Sequence, residues 1–317
     1  MTARIIMKLV VAERVQDTPD VVVLTLRHPR RPELPAWTGG AHVDLHLPDG
    51  KIRQYSLCGD PRDRSCYRIA VKRAHDGRGG STWIHDKLVV GDAVNCSAPR
   101  NNFALKPATK RHLFVAGGIG ITPMAALARD AQSRSEDFEL HFFAPTRTQA
   151  PLLAELQSSF GDRLKTYFSA EKRGDVASII AATGDPLQSQ LYFCGPQRLN
   201  EAIVAAADDA GWPSDRRHSE AFQPIVDENF KPEPFDITIA SSGKTLRVPA
   251  DRSALDVLRN NGLIMPSSCE LGVCGACVCG YHDGVVIHRD SVLSLADRQQ
   301  KMTPCVSRAR VGVTLEL

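Results

Sequence analysis

Residues 269–277 read Cys269-Glu-Leu-Gly-Val-Cys274-Gly-Ala-Cys277, and a further cysteine, Cys305, follows after twenty-seven intervening residues. Gaps of four, two and twenty-seven residues are the spacing of a plant-type 2Fe-2S site, in which four thiolates hold the two irons. Ser267, Ser268, Gly272, Gly275 and Ala276 are all small, as they must be where backbone N–H groups approach bridging sulfides closely. A structural zinc site usually pairs two short Cys-x-x-Cys knuckles, whereas here Cys305 stands alone. Disulfides would leave the small-residue loop unexplained. Cys279 reads as a spare that points inward as a small hydrophobe, and Cys58, Cys66 and Cys96, with no partner spacing, read as buried and structural.

Outward from this loop, the pattern FDITIASSGKTLRVPA suggests a hairpin, and SALDVLRNN a helix over 253–261. Before them VDENFKPEP is polar with two prolines, the composition of a linker. From about residue 110, apolar strands alternate with Ala- and Leu-rich helical stretches, which predicts a parallel sheet covered on both faces. Residues 1–105 carry short alternating runs at 21–26, 43–47 and 67–71, broken by Gly, Pro and Asp: a barrel or sandwich with one helix, capped by Gly79-Gly80-Ser81 and running to about Leu88. The expected division is 1–106, 107–225, a linker at 226–234, and 235–317.

The 317 residues exceed one ordinary core, and 39 basic against 36 acidic residues, spread without runs, give no support to nucleic-acid binding. Arg4, Lys8, Glu13 and Arg14 interrupt the N-terminal segment, which reads as a strand and not a signal peptide. No stretch approaches the roughly 20 apolar residues of a membrane span. A soluble, cytoplasmic protein is expected, its nine cysteines kept in a reducing compartment.

HLFVAGGIGITPM places Gly117, Gly118 and Gly120 between a strand and a helix that Thr122-Pro123 can open. Such a turn lets a backbone approach a pyrophosphate, yet many such turns only join a strand to a helix, and G-x-G-x-x-G is absent. LYFCGP supplies a second strand, ending in Cys194, Gly195 and Pro196 at the carboxyl edge of the same sheet, where ligands bind in open α/β folds.

With the cysteine spacing, GGIGITP and YFCGP together, the chain resembles the ferredoxin-NADP reductase superfamily over essentially its whole length, specifically the phthalate dioxygenase reductase type, which includes the reductase of vanillate O-demethylase. The resemblance implies an antiparallel β-barrel flavin domain, an α/β parallel-sheet nucleotide-binding domain and an α+β, β-grasp ferredoxin domain. Arg53, Gln54, Tyr55 and Ser56 match the family's Arg-x-Tyr-Ser, with Arg53 for a flavin phosphate and Tyr55 against the ring. Arg78, Gly79, Gly80 and Ser81 match a Gly-Gly-Ser phosphate site, and Ala70, Val71 and Lys72 a strand lining the ring edge. Carried over in the same way, Thr122 lies near the flavin, Cys194 near hydride transfer, and Phe222 over the ring, with Glu220 a weaker candidate for that pocket.

The implied function is a redox chain. Nicotinamide yields two electrons at once, an iron-sulfur cluster accepts one, and a flavin handles both, so no side chain need act as acid or base. The resemblance implies an external acceptor, the Rieske or mononuclear iron component of an aromatic-ring dioxygenase or O-demethylase, docked transiently by a monomeric reductase; Glu270 and Asp283 read more readily as plain solvated residues than as rim charges of that docking face. FMN is favoured over FAD by the domain order. NADH is favoured over NADPH by Glu171 after LKTYFSA, which Lys172 and Arg173 oppose. Two rivals stay open: an electron carrier with degenerate first domains, and a zinc-stabilised binding protein.

Overall fold

The computed structural model describes residues 5–317 except 49, 75, 76, 78, 109, 172, 173, 183, 184, 224–226 and 228. The chain divides into two compact units, 1–220 and 221–317.

The first unit contains two layers. Strands β1 (Ile6–Thr18), β2 (Val21–Arg27), β3 (His42–His46), β4 (Ile52–Ser56), β5 (Tyr67–Lys72) and β6 (Ala93–Ser97) form an antiparallel sheet in the order β4-β3-β6-β1-β2-β5. A bridge between Leu57 and Ile69, with Cys58 N donating to Arg68 O at 2.9 Å, brings the two ends together and closes the barrel. The uninterrupted apolar run of β2 has a reason: Val22 and Leu24 fill the barrel, while Val21 and Val23 face the second layer. The one helix of this segment, α1 (Gly80–Lys87), corrects the expected cap. Gly79, in the left-handed region, is the N-cap with no side-chain bond, and Ser81 Oγ accepts instead from Ala74 N at 3.0 Å.

The second layer runs β7 (His112–Gly117), α2 (Ile121–Ser133), β8 (Phe138–Ala144), α3 (Leu153–Phe160), β9 (Leu164–Phe168), α4 (Val176–Ala182), β10 (Gln190–Cys194), α5 (Gln197–Asp209) and β11 (Arg217–Ser219). Its five strands are all parallel, in the order β11-β10-β7-β8-β9, so the order reverses between β7 and β10. The layers are locked together. Gly39 N donates to Asp130 Oδ2, Leu152 N to Asp17 Oδ2, and Glu155 takes both Arg68 and Arg129.

In the second unit β12 (Phe235–Ile239), β13 (Thr245–Val248), α6 (Ala254–Asn260), β14 (Cys279–His282), β15 (Val286–Ile287), β16 (Lys301–Met302), β17 (Arg308–Ala309) and β18 (Gly312–Leu315) give a five-stranded mixed sheet, a two-stranded one and a helix. Ser253 caps α6 by accepting from Asp256 N. Glu233, within the expected linker, is bound to this unit: the buried Arg308 guanidinium donates to Glu233 O as well as to Pro249 O and Arg252 O. Among the described residues, no helix is long and apolar enough to cross a membrane.

Candidate functional site

The switch point between β7 and β10 is the natural ligand crevice of a parallel sheet. Two glycine turns meet there. Gly117 Cα lies 3.1 Å from where a Cβ on Gly195 would stand, and a Cβ on Gly120 would fall 2.1 Å from Cys194 O. Glycine is required by the closeness of the two backbones, and the crevice edge stays open for a ligand. Gly118 has φ +53 and opens into free space. Thr122, nearly fully buried, donates from Oγ1 to Ile119 O and so braces this turn. Cys194 is buried, which pushes its thiol well above the usual range, with Glu220 adding to the effect.

Across the same unit, β4 places Arg53 and Tyr55 on one face by its two-residue period. A Cβ on Gly80 would stand 2.6 Å from Arg53 Nε, so the guanidinium lies against the start of α1, whose first N–H groups have no side-chain cap. A guanidinium beside uncapped amides suits a phosphate. Of the strand expected at the ring edge, Ala70 packs toward the second layer, and Lys72 ends β5 exposed. Val71 is fully buried inside the barrel and its carbonyl binds His85 Nε2 at 2.9 Å, so its side chain faces away from that edge. Arg78 lies outside the described residues.

Ser56, on the other face of β4, donates from Oγ to Glu220 Oε2 at 3.2 Å. Burial pushes the Glu220 carboxyl up to about 8, the Ser56 bond opposing this only in part. At neutral pH this carboxyl therefore holds its proton. Unfolded, it releases that proton near 4.5, so its contribution to stability is complete below that pH and is lost as pH rises toward 8. Thermal melts of Glu220→Gln against wild type should show the variant gaining ground from pH 5 to about pH 8 and the difference levelling off above it; parallel curves would contradict a proton-holding carboxyl. Phe222 belongs to the second unit and is exposed.

In that second unit the four cysteines are buried and approach in pairs. Cys277 Sγ and Cys305 Sγ are 3.3 Å apart, and Cys269 hydrogen-bonds Cys274. No group of three ligands for a single ion forms among the described residues. Two pairs suit two irons, each completed by bridging sulfides, better than one zinc. Leu271 N and Ala276 N point at Cys269 and Cys274 sulfurs at 3.3 and 3.4 Å. The loop achieves this through positive φ at Glu270, Gly272 and Gly275. Gly272 is wedged: its Cβ would meet Val306 at 2.5 Å and Asp290 Cα at 3.2 Å. Asp290 itself, fully buried, accepts from Val292 N and Leu293 N, and so fixes the segment behind the loop. Cys279 is buried in the core, as are Cys58, Cys66 and Cys96. Glu270 pairs with Arg259 at 2.6 Å.

Sequence reading missed one group in the first unit. His42 and Asp44 alternate with Val43 and Leu45, which looks like a solvated strand face, yet both are buried. Their signal was only the proximity of β3 to the Arg-x-Tyr-Ser strand.

A closed barrel fused to a parallel nucleotide-type sheet, joined in one chain to a unit built around paired cysteines, defines an electron-transferring oxidoreductase. The 2Fe-2S iron-sulfur cluster binding domain model matches residues 237–310. The chain is 40% identical over 87% of its length to the heme-dependent oxidative N-demethylase beta subunit of Ectopseudomonas mendocina (87% of that protein). It is 35% identical over 96% of its length to the phthalate dioxygenase reductase of Burkholderia cepacia (95% of that protein). A solved phthalate dioxygenase reductase structure superposes with TM-score 0.76 and 34% identity, covering 98% of each chain. An intact type IV self-sufficient cytochrome P450 monooxygenase superposes with TM-score 0.86 and 38% identity over 99% of this chain, which spans only 41% of that protein. The chain belongs to the phthalate dioxygenase reductase family. It is thus a reductase of the multicomponent-oxygenase kind, with a 2Fe-2S domain at its C-terminal end.

Proposed function

We propose that the chain takes hydride from NADH onto FMN in its first unit and passes single electrons through a 2Fe-2S cluster held by Cys269, Cys274, Cys277 and Cys305 to a Rieske-type oxygenase or O-demethylase component. The observation that carries this is the pairing, within one unit, of the Arg53–Gly80 anion cradle with the two glycine turns at the sheet's switch point. Bound flavin supplies the conversion between hydride and one-electron chemistry.

The chain's own residues do the rest. Arg53 and the amides of Gly79, Gly80 and Ser81 hold the phosphate, and Arg78 adds charge. Tyr55 would pack on the ring, and Ser56 with Ala70 and Lys72 would border it. Gly117, Gly118, Gly120, Thr122, Gly195 and Pro196 admit the dinucleotide, and Cys194 with Glu220 lines the hydride end. Glu171 selects NADH less firmly than its charge suggests, because Arg147 engages both of its oxygens at 2.9 and 3.1 Å. A monomeric, cytoplasmic reductase that docks transiently fits this work.

A haem acceptor is the second reading, favoured by the E. mendocina relative, whose name is that of a heme-dependent N-demethylase subunit. Acid extraction with chromatography of the flavin, NADH against NADPH turnover, and a panel of Rieske and haem oxygenases decide among these. FMN, NADH preference and Rieske coupling are expected; a flavin-free protein would sink the proposal outright. Arg53→Ala should weaken flavin binding about tenfold to a hundredfold, the worth of a charge-assisted phosphate contact. Fluorescence titration of the apoprotein measures it, and unchanged affinity would remove Arg53 from the site.

A further inference from the structure

The carboxyl edge of the parallel sheet carries a charged pair beyond the crevice at β7 and β10. In a doubly wound sheet the adenosine ribose of a dinucleotide is read at the strand ends beside the glycine turn: a carboxylate there bonds the 2′-hydroxyl, and an arginine accommodates a 2′-phosphate. Beside β7 lies β8, which ends at Ala144, and three residues on stands Arg147. Beside β8 lies β9, which ends at Phe168, and three residues on stands Glu171. Ala144 and Phe168 are register partners, so the two loops leave the sheet level with one another. Backbone bonds hold them there: Ser169 N donates to Ala144 O and Ala170 N to Pro145 O, both at 3.1 Å, and Glu171 N closes its turn on Phe168 O at 2.9 Å.

The Arg147 guanidinium lies over the ring of the buried Phe168, 4.6 Å from its centroid, and its Nε and Nη2 donate to the two carboxylate oxygens of Glu171 at 2.9 and 3.1 Å. A reader for each kind of dinucleotide is thus present, and each occupies the other. With 58% and 51% of their side chains exposed, the two are screened by water, so the pair adds little to folding, and both stay within reach of a ligand. A guanidinium fork aimed at two oxygens is also the geometry that takes a phosphate.

We propose that Arg147 decides between NADH and NADPH, and that Glu171 acts by occupying it. The inference rests on the redox reading above and deepens its choice of dinucleotide. Held through both oxygens of Glu171, Arg147 is withheld from a 2′-phosphate, and a phosphate that displaced the carboxylate would set two anions against one guanidinium. A ribose with free hydroxyls makes no such demand. The preference for NADH therefore comes from the withheld arginine and not from a direct bond between Glu171 and the ribose. Freeing Arg147 converts this edge into a 2′-phosphate site. Lys172 and Arg173, which follow in the chain, lie outside the described residues.

The test compares flavin- and cluster-loaded wild type, Glu171→Gln, Arg147→Ala and the double variant. Steady-state kcat/KM is measured with NADH and with NADPH, and calorimetric titration compares adenosine 2′,5′-bisphosphate with 5′-AMP. In Glu171→Gln, kcat/KM for NADPH should rise about tenfold or more, and the bisphosphate should bind tighter by a similar factor, the worth of a charge-assisted phosphate contact. The double variant should lose both gains, and Arg147→Ala alone should show neither. No gain in Glu171→Gln, or a gain that persists in the double variant, would overturn the role of Arg147. Loss of NADH use in Glu171→Gln without a gain for NADPH would place Glu171 on the ribose itself and overturn the proposal as well. A wild type that oxidises neither dinucleotide would instead overturn the redox reading beneath it.

Discussion

Cys305→Ser should yield a protein that still reduces ferricyanide with NADH, at a rate within about twofold of wild type, but transfers electrons to an oxygenase component or cytochrome at about a hundredth of the rate or less. The reason is the pairing of sulfurs. Cys305 faces Cys277 at 3.3 Å, and removing one thiolate leaves an iron without a complete tetrahedral set. The visible bands and the reduced-state resonance signal of the cluster should disappear together with the transfer. Ferricyanide draws on the flavin and so tests that the first unit is intact. A variant that keeps a cluster of the wild-type spectrum would remove Cys305 from the ligand set.

Gly120→Ala should abolish productive use of NADH while leaving the flavin bound. The added Cβ would lie 2.1 Å from Cys194 O and 2.5 Å from Cys194 C. Both are backbone atoms of β10, where Cys194 pairs with Ala116 of β7, and they cannot yield as a flexible side chain would. The two turns must therefore separate at the switch point, where an error of about 1 Å in reactant placement costs about a hundredfold in rate. Steady-state kcat/KM for NADH should fall by about that factor, and chemical reduction by dithionite should still load the cluster. Wild-type kinetics in this variant would mean that nicotinamide binds elsewhere.

The two glycine turns and the cysteine loop were legible because backbone geometry dictates residue type there: nothing larger than glycine fits at 120, and Gly272 and Gly275 carry positive φ. The parallel sheet was legible because strands buried on both faces read as apolar runs, as HLFVAG does. Less visible was anything set by a partner distant in sequence. Val71 reads like its neighbour Ala70, and only the closed barrel shows that one faces inward and the other toward α2. Glu171 reads as a carboxylate favouring NADH, but Arg147 pairs with it from across the sheet edge, and the Ser81 hydroxyl is taken by Ala74 N rather than by its own helix. His42 was hidden for a related reason: alternation separates two strand faces but does not say whether the second is covered. Arg308, bonded to three backbone carbonyl groups, ties Glu233 to the second unit by a contact spanning 75 residues, beyond any local pattern.

The cysteine loop is thus the outlet of the chain, and its meaning depends on what feeds it. The direct measurement is anaerobic rapid mixing of the flavin- and cluster-loaded protein with one equivalent of NADH, following flavin absorbance and freezing samples for the resonance signal of the reduced cluster. Flavin bleaching followed by growth of the cluster signal is the predicted sequence. A flavin that stays fully reduced beside a cluster that remains oxidised would contradict the account.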